Sequence, residues 1–170
     1  MSLTTAQLAT LKADILADGT LNAFPANSDG AFAIAAAYAL TAVPDFWVWR
    51  SAVSMDEITT KTSVDGTVFA WTGTGFITRA QGERDAWTAI FGTNRTCNPS
   101  LANTRQAFSD IFSGATAPAP ANRTHLLTVA RRKATRIEKL FATGTGSTAV
   151  PALMGYEGSI SYNDVLQARA

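Results

Sequence analysis

Helix start and stop signals recur at short intervals along this chain, so any helix in it is limited to a few turns. Near the beginning, Thr4 and Gln7 form a capping-box pair, and Gly19 ends the apolar spacing that follows them. This pattern predicts a helix over residues 5–17. A chain of many such segments buries its apolar side chains by packing short helices together, which predicts a mainly α fold arranged as a compact helical bundle.

Similar signals predict further helices along the chain. The helix that follows Asn98 has the most complete set, with Pro99 at its first position and Gly114 after its last. The Pro/Ala-rich stretch at residues 115–122 is predicted to be a linker to the next helix. The other predicted helix starts are Ser28 or Asp29, Ser54, Thr78, Thr135 and, for a short terminal helix, Ser161.

Apolar side chains at helical spacing identify the faces that we expect to be buried. By the same reasoning, His125 is predicted on the surface of a helix, and Cys97 is an incidental thiol in a loop. A Cys-His pair stays open as an alternative for these two residues. One helix has a smooth, closely packable face made of Phe32, Ala35, Ala36 and Ala39. A second helix has a predicted buried face of Trp87, Ile90 and Phe91, and a third carries one apolar stripe of Leu101, Phe108, Ile111 and Phe112.

Two stretches break the helical pattern in the middle of the chain. The run FWVWR at residues 46–50 is rich in aromatic and β-branched side chains and favours an extended conformation. Further on, Asp65 and Gly66 form a turn signal, and Gly73 and Gly75 are additional breaks. These signals predict a short β-hairpin or an extended loop.

The densest basic stretch, RRKATRIEK at residues 131–139, is predicted to lie on a helix. One interpretation is a surface that contacts the phosphate backbone of DNA without sequence preference. The alternatives are a solvated helix end, where cations are favoured by the helix dipole, or a contact with acidic residues of a partner subunit. The cations concerned are Arg131, Arg132, Lys133, Arg136 and Lys139.

A Gly-Thr-Gly-Ser run begins at Gly144 and separates a helical body, residues 1–143, from a final segment, residues 144–170. A phosphate-binding loop requires a lysine after the second glycine and a helix after the loop. In this chain a predicted helix precedes the run, and no lysine follows Gly146. We therefore interpret Gly144 and Gly146 as a hinge, with Gly144 ending the preceding helix.

The final segment is predicted to be an extended C-terminal arm with a short terminal helix. It either folds back on its own body or packs on a neighbouring subunit by strand addition or in a groove. A chain that ends at Thr143 is expected to fold as a soluble monomer that does not assemble, because the helical core precedes the hinge. The apolar residues that would make these arm contacts are Val150, Leu153, Met154, Tyr156 and Ile160.

Composition bears on several classes of function. The single cysteine and the single histidine exclude an intramolecular disulfide and would leave a zinc site dependent on carboxylates. A formal net charge of +1 provides no global attraction to nucleic acid or to a membrane. The start of the chain lacks the pattern of a secretory signal, and the most apolar stretch is too short to span a bilayer. We expect a cytosolic protein without a cofactor, a metal or a membrane contact.

Several blocks of the chain resemble, in order, a family of small structural proteins of tailed bacteriophages and prophages. They include LTTAQLATLKADILAD, FWVWRS, NPSLANTRQAFSDIFSG and RRKATRIEKLFATGTGS, and they end with EGSISYNDV. The resemblance implies a subunit of the virion, of the head-to-tail connector (adaptor or neck) type. Such subunits form a ring, often about twelve-fold, beneath the portal, and their C-terminal segments clasp the portal or a neighbour.

This resemblance implies partners and a location, but it transfers no catalytic motif, so no residue inherits an active-site role. The partners are copies of the same chain, the portal and the tail or neck proteins, with non-specific contact to packaged DNA as a further option. The location is the neck of the virion, and the host cytoplasm during assembly. The alternatives are a capsid cement or tail-terminator protein and, from another class, a small phage enzyme or DNA-binding regulator.

Overall fold

The computed structural model of the chain describes residues 3–60, 62–72 and 75–170. Helices account for about 48% of the structure and the strands are short, which confirms the prediction of a mainly α fold. In chain order the elements are α1 (Thr5–Ala17), α2 (Gly19–Asn22), α3 (Ser28–Ala39), β1 (Trp47–Trp49), β2 (Val53–Ser54), α4 (Met55–Thr60), α5 (Gln81–Phe91), β3 (Thr96–Cys97), α6 (Ala102–Ile111), α7 (Ala119–Val129), β4 (Arg131–Lys133), α8 (Arg136–Leu140) and α9 (Tyr162–Arg169).

The chain divides into two compact units. Unit 1 contains the residues up to Val48 and those from Lys133 onward, and unit 2 is the continuous segment Trp49–Arg132. The chain passes from one unit to the other within β1 and within β4, and these two strands pair with each other. In unit 2, β2 and β3 pair antiparallel, with Val53 opposite Cys97.

The core of unit 1 is formed mainly by α1, α3 and α9. The last helix packs against both of the others, although about 120 residues separate it from α3 in the sequence. The Arg169 guanidinium, at the end of α9, donates hydrogen bonds to the carbonyl oxygens of Phe24 (3.1 Å) and Pro25 (3.2 Å). Residues 144–170 therefore complete the core of unit 1, and the predicted division into a body and an arm differs from the two units of the structure.

The segment before α9 pairs with its own unit in short β-bridges. Ala152 N–H donates to the carbonyl of Trp47 (2.9 Å), and Thr143 and Leu153 exchange two backbone hydrogen bonds of 2.8 and 2.9 Å. The backbone groups of this segment are thus satisfied by strand-like pairing within unit 1.

The core of unit 2 is a cluster of aromatic side chains from α5, α6 and the loop before α5. Trp87 is its centre, with ring centroids 4.8 Å from Phe91 and 5.3 Å from Phe69. Phe108 and Phe112 are fully buried, which confirms the predicted apolar stripe of α6 at these positions. Leu101, by contrast, is half exposed.

Local capping signals locate four of the helices correctly. The side chains of Thr4, Ser54, Thr135 and Ser161 each accept a hydrogen bond from the backbone N–H three residues on, at 3.0 to 3.4 Å. These bonds satisfy N–H groups that have no partner within the helix. The helix predicted over residues 5–17 is α1, with the same bounds.

Three other helices begin at residues other than those predicted. The Asn98 side chain accepts from Ser100 N–H (3.0 Å) in a tight turn, so α6 begins only at Ala102. Ala80 rather than Thr78 precedes α5, and its N–H donates to the side chain of Glu83 (2.9 Å). The cap of α3 is Asn27, whose side chain accepts from Gly30 N–H (3.0 Å).

The core of unit 1 does not use the closely packable face that the sequence predicts for α3. Ala31, Ile34 and Tyr38 are buried, whereas Phe32 is 55% exposed and Ala36 and Ala39 are exposed as well. The helix is apolar on both sides, so its sequence pattern does not identify the face that the core uses. The face that contains Phe32, Ala36 and Ala39 points away from the core of unit 1.

The predicted hairpin is an irregular loop. Residues 62–72 and 75–80 contain no strand, and Gly73 lies outside the described residues. The turn at Asp65 and Gly66 is confirmed, with a hydrogen bond of 3.0 Å from Gly66 N–H to the Ser63 carbonyl.

The predicted linker after α6 is shorter than expected, because α7 begins at Ala119, which is buried.

Candidate functional site

The predicted basic helix does not exist as one element. Arg131, Arg132 and Lys133 lie on β4, while Arg136 and Lys139 lie on α8. The chain leaves helical geometry after α7 because its backbone groups bond to other segments: the Ala130 carbonyl accepts from Arg50 N–H (2.9 Å), and Ala134 N–H donates to the Phe46 carbonyl (2.8 Å). The five cations therefore do not share one helical surface.

Arg136 is held by two carboxylates of its own unit. Its guanidinium lies 3.0 Å from Asp14 and 2.9 Å from Asp18, and it stacks 4.8 Å from the centre of the Tyr38 ring. Partial burial lowers the pKa of Arg136, but its hydrogen bonds to Asp14 and Asp18 outweigh this effect and raise it. Through these two ion pairs, Arg136 connects α8 to α1.

Tyr38 completes this cluster from α3. Its hydroxyl donates to the Asp14 carboxylate at 2.5 Å. Burial, followed by the hydrogen bond to Asp14, raises the pKa of Tyr38. The pKa of Asp18 is lowered, first by the hydrogen bond from the Leu21 N–H and then by that from Arg136. The charged side chains of this cluster form one wall of a cavity.

An open groove of about 800 Å³ lies beside this cluster in unit 1. One wall carries charged side chains from α1 and α8, and the other carries apolar side chains from the end of α3 and the loop after it. Pockets of this size accommodate several side chains of a bound segment. The groove is lined by Asp14, Asp18, Thr20, Leu21, Ala37, Leu40, Thr41, Ala42, Val43, Arg136, Lys139 and Leu140.

The apolar rim of the groove is its most exposed part. Leu40 is 66% exposed and Val43 is 90% exposed, and both line the groove. Clustered exposed aliphatic side chains beside a concave surface are typical of sites that bind another protein. Sequence reasoning did not find this site, because its residues come from four helices and a loop, and α8 lies about 100 residues after the others in the sequence.

Lys139 is the cation of the groove that is free to contact a ligand. Its ammonium lies 5.7 Å from the centre of the Phe46 ring, and it forms no ion pair with any residue that the structure describes. Arg136 is paired with two carboxylates, so the positive charge of the groove that is not taken up by an ion pair is that of Lys139.

The predicted arm residues have different positions. Tyr156 and Ile160 are buried in the core of unit 1, and Met154 packs in a small cluster beside Ala152. Val150 and Leu153 are exposed, so these two side chains are accessible to a partner. Val150 and Leu153 are therefore the first candidates for the predicted arm contacts to a neighbouring subunit or to the portal.

Both predicted hinge glycines are required by close packing. Gly146 has φ +65° and lies against the Phe46 ring, where a Cβ atom would be 2.1 Å from the nearest carbon. Gly144 has φ +125°, and a Cβ atom there would lie 3.2 Å from the Cα of Ala152. Gly144 does not end α8, because the helix is capped earlier, at Phe141. The glycines therefore have a structural role in the folded unit.

His125 is fully buried in unit 2, which corrects its predicted place on a helix surface. Its Nε2 lies 2.6 Å from the Ile58 carbonyl oxygen, and its Nδ1 lies 3.0 Å from that of Thr67. The ring thereby connects α7 to α4 and to the loop before α5.

Cys97 is also buried, and this burial raises the pKa of its thiol to about 12. The thiol is therefore protonated and unreactive at neutral pH.

Acid is expected to weaken unit 2 through Asp65. Partial burial raises the pKa of this carboxyl, but hydrogen bonds from Ser63, Thr128 and Thr67 outweigh it and lower the pKa to about 2. The folded state therefore binds this proton less readily than the unfolded state, and stability is lost as the pH falls from about 4 to about 2. After allowance for the exposure of Asp65, we expect a loss of roughly 1 kcal/mol.

Urea denaturation at about pH 6 and about pH 2.5 measures this effect. The difference in unfolding free energy between the two pH values is expected to be smaller in Asp65→Asn than in the unchanged chain. An equal pH dependence in both proteins contradicts the assignment to Asp65.

In the part of the chain that the structure describes, no three histidine, cysteine or acidic side chains come together as metal ligands. Within residues 3–60, 62–72 and 75–170, no helix combines the length and the apolar character needed to cross a membrane. No protein-family model matches the chain, and comparisons with curated proteins and with solved structures found no match.

Proposed function

We propose that this protein is a structural subunit of a tailed-phage virion, of the head-to-tail connector type, which forms an oligomeric ring between the portal and the tail. The observation that carries the proposal is the groove of unit 1 with its exposed rim of Leu40 and Val43. A subunit of a permanent assembly needs apolar surface outside its own core, and this rim supplies it. The family resemblance of the sequence supports the same role.

The distribution of arginines favours protein contacts over nucleic-acid contacts. Arg50 forms a bidentate ion pair with Glu57 (2.6 and 3.0 Å), and Arg79 donates to the carbonyl of Ile111 at 2.8 Å. Together with Arg136, these guanidinium groups are already engaged within their own units. A surface that binds DNA phosphates requires cations that can exchange counterions for phosphate.

The composition of purified virions tests the proposed function. We expect the protein to be present at about a dozen copies per particle, as a single ring requires. Quantitative mass spectrometry against the portal protein gives the copy number. Hundreds of copies would indicate a capsid cement protein, and absence from the virion would contradict a structural role altogether.

A further inference from the structure

The outer face of α3 carries an exposed apolar stripe that ends at the groove. Phe32, Ala36 and Ala39 follow each other at helical spacing and are all exposed. The chain then continues into Leu40 and Val43, the exposed rim of the groove. The core of unit 1 does not use this stripe, because it packs against the opposite face of the helix.

Phe32 is a preordered knob at the other end of the stripe. Its ring stacks on Tyr162 of α9, with ring centroids 4.4 Å apart and an interplanar angle of 23°. More than half of the Phe32 side chain nevertheless faces solvent. A rigid, exposed aromatic ring loses little conformational entropy when it binds, which is typical of the anchor residue of an interface.

Opposite charges lie at the two ends of the same surface. Asp29 is exposed one turn before Phe32, and no residue that the structure describes forms an ion pair with it. At the groove end, Lys139 is also without an ion pair. An apolar knob with a neighbouring acid therefore matches the apolar rim of the groove and the unpaired lysine that also lines it.

We propose that the groove of one subunit binds the Phe32 end of α3 of a second copy of this chain, with Asp29 of one copy beside Lys139 of the other. This inference rests on the proposed function, for which it defines the contact between subunits. The groove, at about 800 Å³, is large enough for an aromatic side chain and the adjoining helical turn.

The contact joins two different surfaces of the chain, so each subunit still has one knob and one groove to offer. Repetition of such a head-to-tail contact gives a ring if its rotation closes, and a filament if it does not. This is the type of interface that a connector ring requires. A single symmetric contact would instead stop at a dimer.

Charge exchange in the full-length chain tests the contact. We expect Asp29→Lys and Lys139→Glu each to weaken self-association by roughly five- to tenfold, because each places like charges together. The double variant restores the opposite pair and is expected to associate like the unchanged chain. Sedimentation velocity over a concentration series measures the association, and Phe32→Ser is expected to weaken it at least about tenfold.

Asp85→Lys is the matched control, because it makes the same change of charge on an exposed helix position in unit 2. It is expected to leave self-association unchanged. An unchanged chain that stays monomeric, or a double variant that associates no better than the single ones, overturns the inference. The virion copy number tests the proposed function separately, since self-association of the purified chain does not depend on the phage particle.

Discussion

A chain that ends at Thr143 is expected to lose the fold of unit 1. Residues 144–170 supply Tyr156, Ile160 and Val165 to its core, and all three are buried. Burying three such side chains contributes about 6 kcal/mol, which is comparable to the whole stability of a small domain. The sequence alone predicts a folded monomer for this truncation, and the structure leads to the opposite expectation.

Hydrogen exchange followed by mass spectrometry distinguishes the two outcomes. Amide protection in α1 and α3 should disappear in the truncated chain, since both helices pack against α9. Val150→Ser with Leu153→Ser in the full-length chain is the control. It removes the exposed apolar side chains of the same segment, and protection is expected to persist. Full protection of α1 and α3 after truncation would show that the last segment is separable from the unit.

Gly146→Ala is expected to destabilise unit 1 by about 3 to 5 kcal/mol, combining the strain of a positive φ with overpacking. The new Cβ atom would collide with the Phe46 ring, because it would lie 2.1 Å from the nearest ring carbon. Thermal and urea denaturation measure the loss. The double variant Gly146→Ala with Phe46→Ala should lose less than the sum of the two single variants.

Gly92→Ala is the matched control for this substitution. Gly92 has a similar φ of +54°, but a Cβ atom there would meet no atom within 4 Å. It is expected to cost about 1 to 2 kcal/mol, from backbone strain alone. Equal losses for the two variants would mean that the Phe46 ring moves aside readily, in which case the segment behaves as the hinge that its sequence suggests.

Sequence signals that span a few residues predicted several helix starts correctly. The contacts between segments that are far apart in the sequence could not be predicted from them. The caps at Thr4 and Ser161 depend on residues three positions away, so one stretch of sequence contains the whole interaction. His125 lies in a polar stretch that suggests a surface position, yet it is buried against carbonyl groups 58 and 67 residues away. Nothing in the local pattern specifies such partners.

The candidate groove was unpredictable for a similar reason. Lys139 and Arg136 are one turn apart in the sequence, and both were assigned to a common basic surface. Arg136 differs from Lys139 because α1 brings Asp14 and Asp18 to it, at 3.0 and 2.9 Å. The exposed face of α3 was identified from the sequence as closely packable, but only the structure shows that the core uses the other side.

The insertion of unit 2 into unit 1 affects the order in which the protein can mature on the ribosome. The whole of unit 2 is synthesised before α9, whereas the core of unit 1 needs α9, the last helix of the chain. Domains that are continuous in sequence fold as they emerge, but a discontinuous one waits for its final segment. A nascent or prematurely terminated chain thus cannot present the groove on a finished core.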